Sequence, residues 1–230
     1  MSAALKGISS MATRQVLADL SEAWQAQGGE PVQIESVGGV DAAQRVQSGG
    51  EAFDVVFLAS DAIDKLQAAG RVLPGSKVDL MLSSTAVAVP AAAQLPDIST
   101  EDAVRAAVLA APSIGYSTGP SGVVLQKLFE RWGIADEIKP RIVQARPGVP
   151  VGSLVASGEV ALGFQQLSEL IHVAGIQIVG TLPSAIAIDT VFSAGVVTGS
   201  ANAEAVQRLL AFMASPEAAA AKRRQGMEPA

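Results

Sequence analysis

Two hydrophobic periods succeed one another along this chain, and the switches between them mark its elements. Residues 3–8 read as a strand. Ser9 and Ser10 then precede a helix over 11–27, whose Val16, Leu17, Leu20 and Trp24 share one face before Gly28 and Gly29 stop it. Residues 32–36 alternate as a strand. Val37, Gly38, Gly39 and Val40 form a turn, Asp41 is the expected cap of a short helix, and Ser48, Gly49 and Gly50 end that helix. Residues 54–58 read as a buried parallel strand, and Ala59, Ser60 and Asp61 lead into a helix that stops at Gly70. This βαβαβα order predicts a parallel, doubly wound sheet.

The pattern then changes. Residues 77–90 form a long extended stretch, followed by a proline-containing loop over 91–99 and a helix over 100–110 capped by Thr100, with Glu101 and Asp102 in its first turn. A strand over 113–116, a turn of small residues and a helix over 121–132 come next, with Leu125, Leu128, Phe129 and Trp132 at helical spacing. Gly133 and Pro140 bracket a short helical piece. Residues 141–144 read as a strand, 146–150 as a loop, 151–157 as a short helix, and 160–164 as a strand ending in Gln165 and Gln166. After a further short helix, 176–179 read as a strand and 185–197 as a second long extended stretch. Helices over 203–213 and 216–225 close the chain. Two long extended stretches enclosing a βαβα block predict two lobes: residues 1–82 with 195–230, and residues 83–194, joined by two crossing strands that act as a hinge.

Composition narrows the chemistry. Hydrophobic residues make up 49% and charged residues 17% of the 230 positions, which is the make-up of a folded globular chain. The net charge is −6 and the one basic run is Lys222, Arg223 and Arg224, which excludes nucleic acid as an expected partner. With no cysteine and a single histidine, disulfides, thiolate catalysis, Cys- or His-based metal sites and a Ser–His–Asp triad have no support. Neither a GxGxxG nor a GxxxxGK[ST] pattern is present, so no nucleotide cofactor, and no cofactor or metal of any kind, is expected. No apolar run reaches a membrane-spanning length, and residues 1–7 lack the charged and apolar regions of a leader. The expected location is therefore cytoplasmic, or periplasmic if a leader was removed.

Candidate chemistry concentrates where strands run into helices. The turn Ser117, Thr118, Gly119, Pro120, Ser121, Gly122 offers hydroxyls, glycines that admit a ligand to the backbone, and the free amides and positive dipole end of a helix, which together make an anion seat. A plain serine N-cap is the alternative reading of the same residues. Comparable turns follow the other strands, at the carboxyl ends where open α/β sheets bind ligands. Arg14 and Arg146 could pair with a carboxylate or be solvated surface charges. Tyr116 could hydrogen-bond a ligand, act as an acid, or be core. His172 and Glu35 complete the set of catalytic candidates, should the chain be an enzyme.

The order of these turns, the two crossovers and the tail 209–229 resemble the periplasmic solute-binding proteins of ABC transporters, nearest the molybdate-binding branch. The segments that carry the resemblance are 53–60, 70–72, 114–117, 158–163, 192–195 and Ser215–Pro216. It implies a type II two-lobe α/β fold, each lobe a mainly parallel sheet flanked by helices. It also implies a ligand held between the lobes by backbone amides and hydroxyls. Carried over by position, those would come from Ser9, Ser10, Gly38, Gly39, Ala59 and Ser60 in the first lobe. The second would supply Ser117, Thr118, Ser121, Gly122, Val151, Gly152 and Gln165. The partners implied are a small anionic ligand and an ABC permease, with a monomer as the default state. Two departures stand out. Gln165 and Gln166 stand where molybdate binders often carry a tyrosine, and Gly38 and Gly39 where the family tends to have serines. Both favour an organic acid over molybdate or sulfate. Because relatives of this kind include an isomerase of aconitate, an isomerase or tautomerase of an unsaturated polycarboxylic acid is the rival reading. A cytoplasmic anion sensor is a third.

Overall fold

The computed structural model describes residues 4–146 and 148–230. Its elements in chain order are β1 (Leu5–Ser10), α1 (Arg14–Ala26), β2 (Val32–Val37), α2 (Gly39–Ser48), β3 (Val55–Ala59), α3 (Ser60–Ala68) and β4 (Val78–Pro90). There follow α4 (Glu101–Ala110), β5 (Ile114–Tyr116), α5 (Pro120–Arg131), α6 (Ala135–Ile138), β6 (Ile142–Gln144), α7 (Val151–Ala156), β7 (Leu162–Gln166) and α8 (Leu167–Leu170). The chain closes with β8 (Ile176–Thr181), β9 (Asp189–Val196), α9 (Ala203–Ala214), α10 (Ala219–Arg224) and β10 (Met227–Pro229). The chain divides into two compact units, Met1–Ser83 with Val191–Ala230 and Ser84–Thr190, and passes between them within β4 and again within β9.

In the first unit β1 lies between β2 and β3, all three parallel, with β9 antiparallel on the far side of β3. Central β3 is buried on both faces, and its side chains divide by period two. Val55 and Phe57 join Leu17, Leu20, Leu209 and Met213 beneath α1 and α9, whereas Val56 and Leu58 join Ala42, Val46, Ile63 and Leu66 beneath α2 and α3. Helices therefore cover both faces of this sheet. The short β10 pairs antiparallel with the first part of β4, from Met227↔Ser83 to Pro229↔Met81.

In the second unit β5 lies parallel between β6 and β7, and the rest of β4 runs antiparallel to both β7 and β8. The larger core packs Val87, Ile114, Leu125, Phe129 and Phe164 under α4 and α5, with the Phe129 ring edge-on to Tyr116 and Phe164. The opposite face admits α7 at close range because Gly115 and Gly163 present no side chain to it. A Cβ on Gly115 would come within 2.7 Å of Val160 and 3.3 Å of Val151. Arg141 seals the end of α4 by donating to the carbonyls of Leu109 and Ala111 at 2.9 and 2.5 Å.

Several sequence expectations are corrected at element ends. Asp41 is not a cap: α2 starts at Gly39 with Gly38 as its N-cap, so Asp41 sits in the first turn. Met11–Thr13 and Pro216–Ala218 are 3-10 turns ahead of α1 and α10. Arg141 belongs to a 3-10 turn, not to β6. The second extended stretch is shorter than expected, because Ser184–Ile186 form a 3-10 turn before β9. Thr100 does cap α4, accepting from the Ala103 amide at 3.1 Å. Of the expected strand 3–8 and loop 146–150, Ala3 and Pro147 lie outside the described residues.

Candidate functional site

In the first unit the parallel register brings the carboxyl ends of three strands to one edge. Ser9 aligns with Ser36 on β2 and Phe57 on β3, and Ser10 with Val37. Each strand runs at once into a helical turn, starting at Met11, Gly39 and Ser60, and the N-caps Ser10, Gly38 and Ala59 supply no side-chain cap. The first-turn amides of α2 and α3 thus keep the partial positive charge of a helix start without a local side-chain acceptor. Ser9 is fully buried, with its hydroxyl 2.8 Å from that of Ser36 and donating at 3.3 Å to the Ser10 carbonyl. The hydroxyl of Ser10 is buried with no partner. A Cβ on Gly39 would lie 3.5 Å from that of Ser10, so these two turns are in van der Waals reach of each other.

In the second unit Tyr116 aligns with Gln144 and Phe164. The turn after it runs through Ser117, whose hydroxyl accepts from the Gly119 amide at 3.3 Å, into α5 at Pro120. The N-cap of α5 is Gly119, without a side-chain cap, so Ser121 is not a capping serine; it is buried in the first turn. Gly122 is sterically required, because a Cβ there would collide with the Ser117 carbonyl oxygen. Thr118 is exposed beside this turn.

The end of β7 carries two amides in different states. Gln165 is fully engaged: its Oε1 accepts from the Gly152 amide at 3.0 Å and its Nε2 donates to Glu169 Oε1 at 2.8 Å. The Gly152 amide at the start of α7 is therefore spent inside the unit. Burial raises the Glu169 carboxyl to about 7, only partly offset by the bond from Gln165, which favours its charged form. Gln166 donates to the Thr190 hydroxyl at 2.9 Å and leaves Oε1 buried and unpaired, beside the equally unpaired hydroxyl of its cross-strand neighbour Thr85. Since a hydroxyl both donates and accepts, this amide can also turn over and present its N–H groups.

The remaining sequence candidates lie as follows. Arg14 is exposed at the first residue of α1, and Arg146 is exposed after β6. Val151, the first residue of α7, is buried in the core. Tyr116 is buried, its hydroxyl accepting from Gln126 at 3.0 Å. Glu35 is held by Arg45 through two bonds of 2.6 and 2.9 Å, and the same guanidinium grips Glu51. Arg45 lowers the pKa of Glu35 by hydrogen bonding. His172 is exposed just after α8. Among the described residues, no cluster of three or more His, Cys, Asp or Glu could hold a metal ion, and no helix is long and apolar enough to cross a membrane.

Sequence reasoning passed over Thr85, Gln166 as distinct from Gln165, and Glu169. The one available signal was the spacing of Gln165 and Glu169, one helical turn apart across a strand-to-helix junction.

The chain is 43% identical over 182 residues to an aconitate isomerase of a Pseudomonas species, a match covering 78% of this chain and 68% of that protein. Its fold matches the periplasmic molybdate-binding protein of Azotobacter vinelandii with a TM-score of 0.79 at 24% identity, covering 97% of this chain and 98% of the other. It also matches the sulfate-binding protein SubI of Mycobacterium tuberculosis with a TM-score of 0.78 at 16% identity, covering 99% and 87%. These likenesses establish a periplasmic-binding-protein-like α/β fold. The family model for bacterial extracellular solute-binding proteins matches residues 5–228, and the chain belongs to that family.

Proposed function

We propose that the chain reversibly captures a small organic acid, using strand-end amides and hydroxyls as donors to its carboxylates. The observation that carries this reading is the Ser10 hydroxyl, buried without a hydrogen-bond partner at the edge where three parallel strands end and α2 and α3 start without a side-chain cap. The start of α5, after parallel β5, is uncapped as well. Uncapped starts grouped with a buried, unpaired Ser10 hydroxyl suit an acceptor-rich ligand that completes them. The anion would shift the population toward a ligand-closed form, and a permease would receive it on the outer side of the membrane. Calorimetric titration of cis- and trans-aconitate, citrate, succinate, sulfate and molybdate tests the ligand class. A carboxylate should bind, and Ser10→Ala should weaken it by about fivefold to tenfold with no loss of stability, since the hydroxyl has no protein partner to lose. Binding of molybdate or sulfate alone would overturn the organic-acid reading.

A second reading is favoured by the 43% identity to an aconitate isomerase together with a carboxyl titrating near 7 at the end of β7. In that reading Glu169 takes a proton from the methylene of an unsaturated tricarboxylate, and the proton returns at the far end of the allylic system. Strand-end amides hold the transient enolate-like charge. Incubation of cis-aconitate with the protein in deuterated water, followed by proton NMR, should show deuterium uptake and the trans isomer. An unchanged spectrum would remove aconitate as a substrate and leave capture standing.

A further inference from the structure

The first unit carries a pocket of about 640 Å³ at the other end of its sheet, where β1 and β3 begin and β9 ends. Its two carboxylates, Asp54 and Glu51, are already used. Asp54 takes the Lys6 amide on Oδ2 at 2.9 Å, and the Ser200 hydroxyl and Asn202 amide group on Oδ1 at 2.6 and 3.1 Å. These bonds overcome the cost of burial and lower the Asp54 pKa. Glu51 spends both oxygens on Arg45, at 2.7 and 2.5 Å. The pocket's two cations are placed differently: the Lys6 charge acts on Asp54 electrostatically and helps lower its pKa. Neither Arg71 nor the Lys6 ammonium enters an ion pair among the described residues. The Arg71 guanidinium packs against Gly49, where a Cβ would come within 2.7 Å of Nη1, and Gly49 holds a φ of 67° that itself favours glycine. A lining whose two carboxylates are satisfied internally, and whose Arg71 guanidinium is not, is complementary to an acceptor-rich ligand.

We propose that this pocket is a second binding site, for a carboxylate or phosphate group, with Arg71 as its bidentate anchor and Lys6, shared with Asp54, as its second positive charge. It is distinct from the strand-end turns and does not depend on the function proposed for them. Asp54, through Ser200 and Asn202, is the fastening that holds the loop after β9 in place to form the wall.

The test is an amide-resolved NMR titration of the full chain with inorganic phosphate and, separately, succinate, at matched ionic strength. The amides of Gly49, Arg71, Thr198 and Gly199 should shift and saturate with at least one probe. Saturation by phosphate alone names a phosphate ligand, and by succinate alone a carboxylate ligand. Arg71→Ala should remove saturation. Arg71→Lys, which keeps the charge but not the fork, should weaken it by about tenfold, and this variant serves as the folded control. The amides of Thr118 and Gly122 report the strand-end turns separately in the same spectra, so either site can fail alone. Shifts that never saturate with either probe, or that persist unchanged in Arg71→Lys, would overturn the proposal.

Discussion

Glu169→Gln isolates the cost of one carboxyl. Burial raises its pKa from 4.5 to about 7. A proton is therefore held more tightly in the folded chain than in the unfolded one. The resulting stabilisation is fully present below about pH 4.5 and is lost as pH rises through about 7. The full span corresponds to about 3 kcal/mol, and partial exposure to solvent reduces it to about 2 kcal/mol. Glutamine has the same shape and still offers an acceptor to Gln165 Nε2, so the link from Glu169 through Gln165 to the Gly152 amide is kept while the charge is removed. Urea denaturation at closely spaced pH values from 4 to 9, about the window set by these two pKa values, is the assay. The variant should match the parent at the acid end and exceed it by about 2 kcal/mol above pH 8, with a flatter profile between. Identical pH profiles for the two proteins would show that Glu169 is ionised in the fold at neutral pH, and the reasoning from its burial would fail.

The two glycines of the α5 turn should respond in opposite senses. Gly122→Ala drives a methyl into the Ser117 carbonyl and should cost about 2–3 kcal/mol in urea unfolding as the turn is displaced. Gly119→Ala meets only Ser117 Oγ at 3.5 Å, at a φ of −74° open to alanine, and should stabilise by about 0.5 kcal/mol. Equal midpoints for these variants would refute the steric argument. Lys222 is buried on α10, and desolvation lowers its pKa. Lys222→Met should therefore raise the melting temperature, by a stability gain of about 1–2 kcal/mol; a fall would show that the ammonium is better solvated than its burial implies.

Local periodicity determined a large share of this protein. The unbroken apolar run of β3, the helix face of Val16, Leu17 and Leu20, and the capping threonine of α4 are all set by neighbours in sequence, and they read directly. The strand-to-helix order was legible for the same reason, as were the small-residue turns that follow the strands. What local pattern could not decide were features whose partners lie far along the chain. Asp41 looks like a cap, but the cap position is fixed by the backbone of Gly38 as β2 ends, so the aspartate falls inside the helix. β10 has three residues and is a strand only because β4 pairs with it. Asp54 is held by Ser200 and Asn202, 146 and 148 residues further along the chain, and Glu35 is claimed by Arg45. Gln165 and Gln166 are chemically identical neighbours, yet the pleat turns one toward α7 and the other toward Thr190, leaving only the second with a free end. The sequence thus determined where strands meet helices. Burial and non-local hydrogen bonding, which exist only once the chain has folded, decided which of the polar groups at those junctions remain without a protein partner.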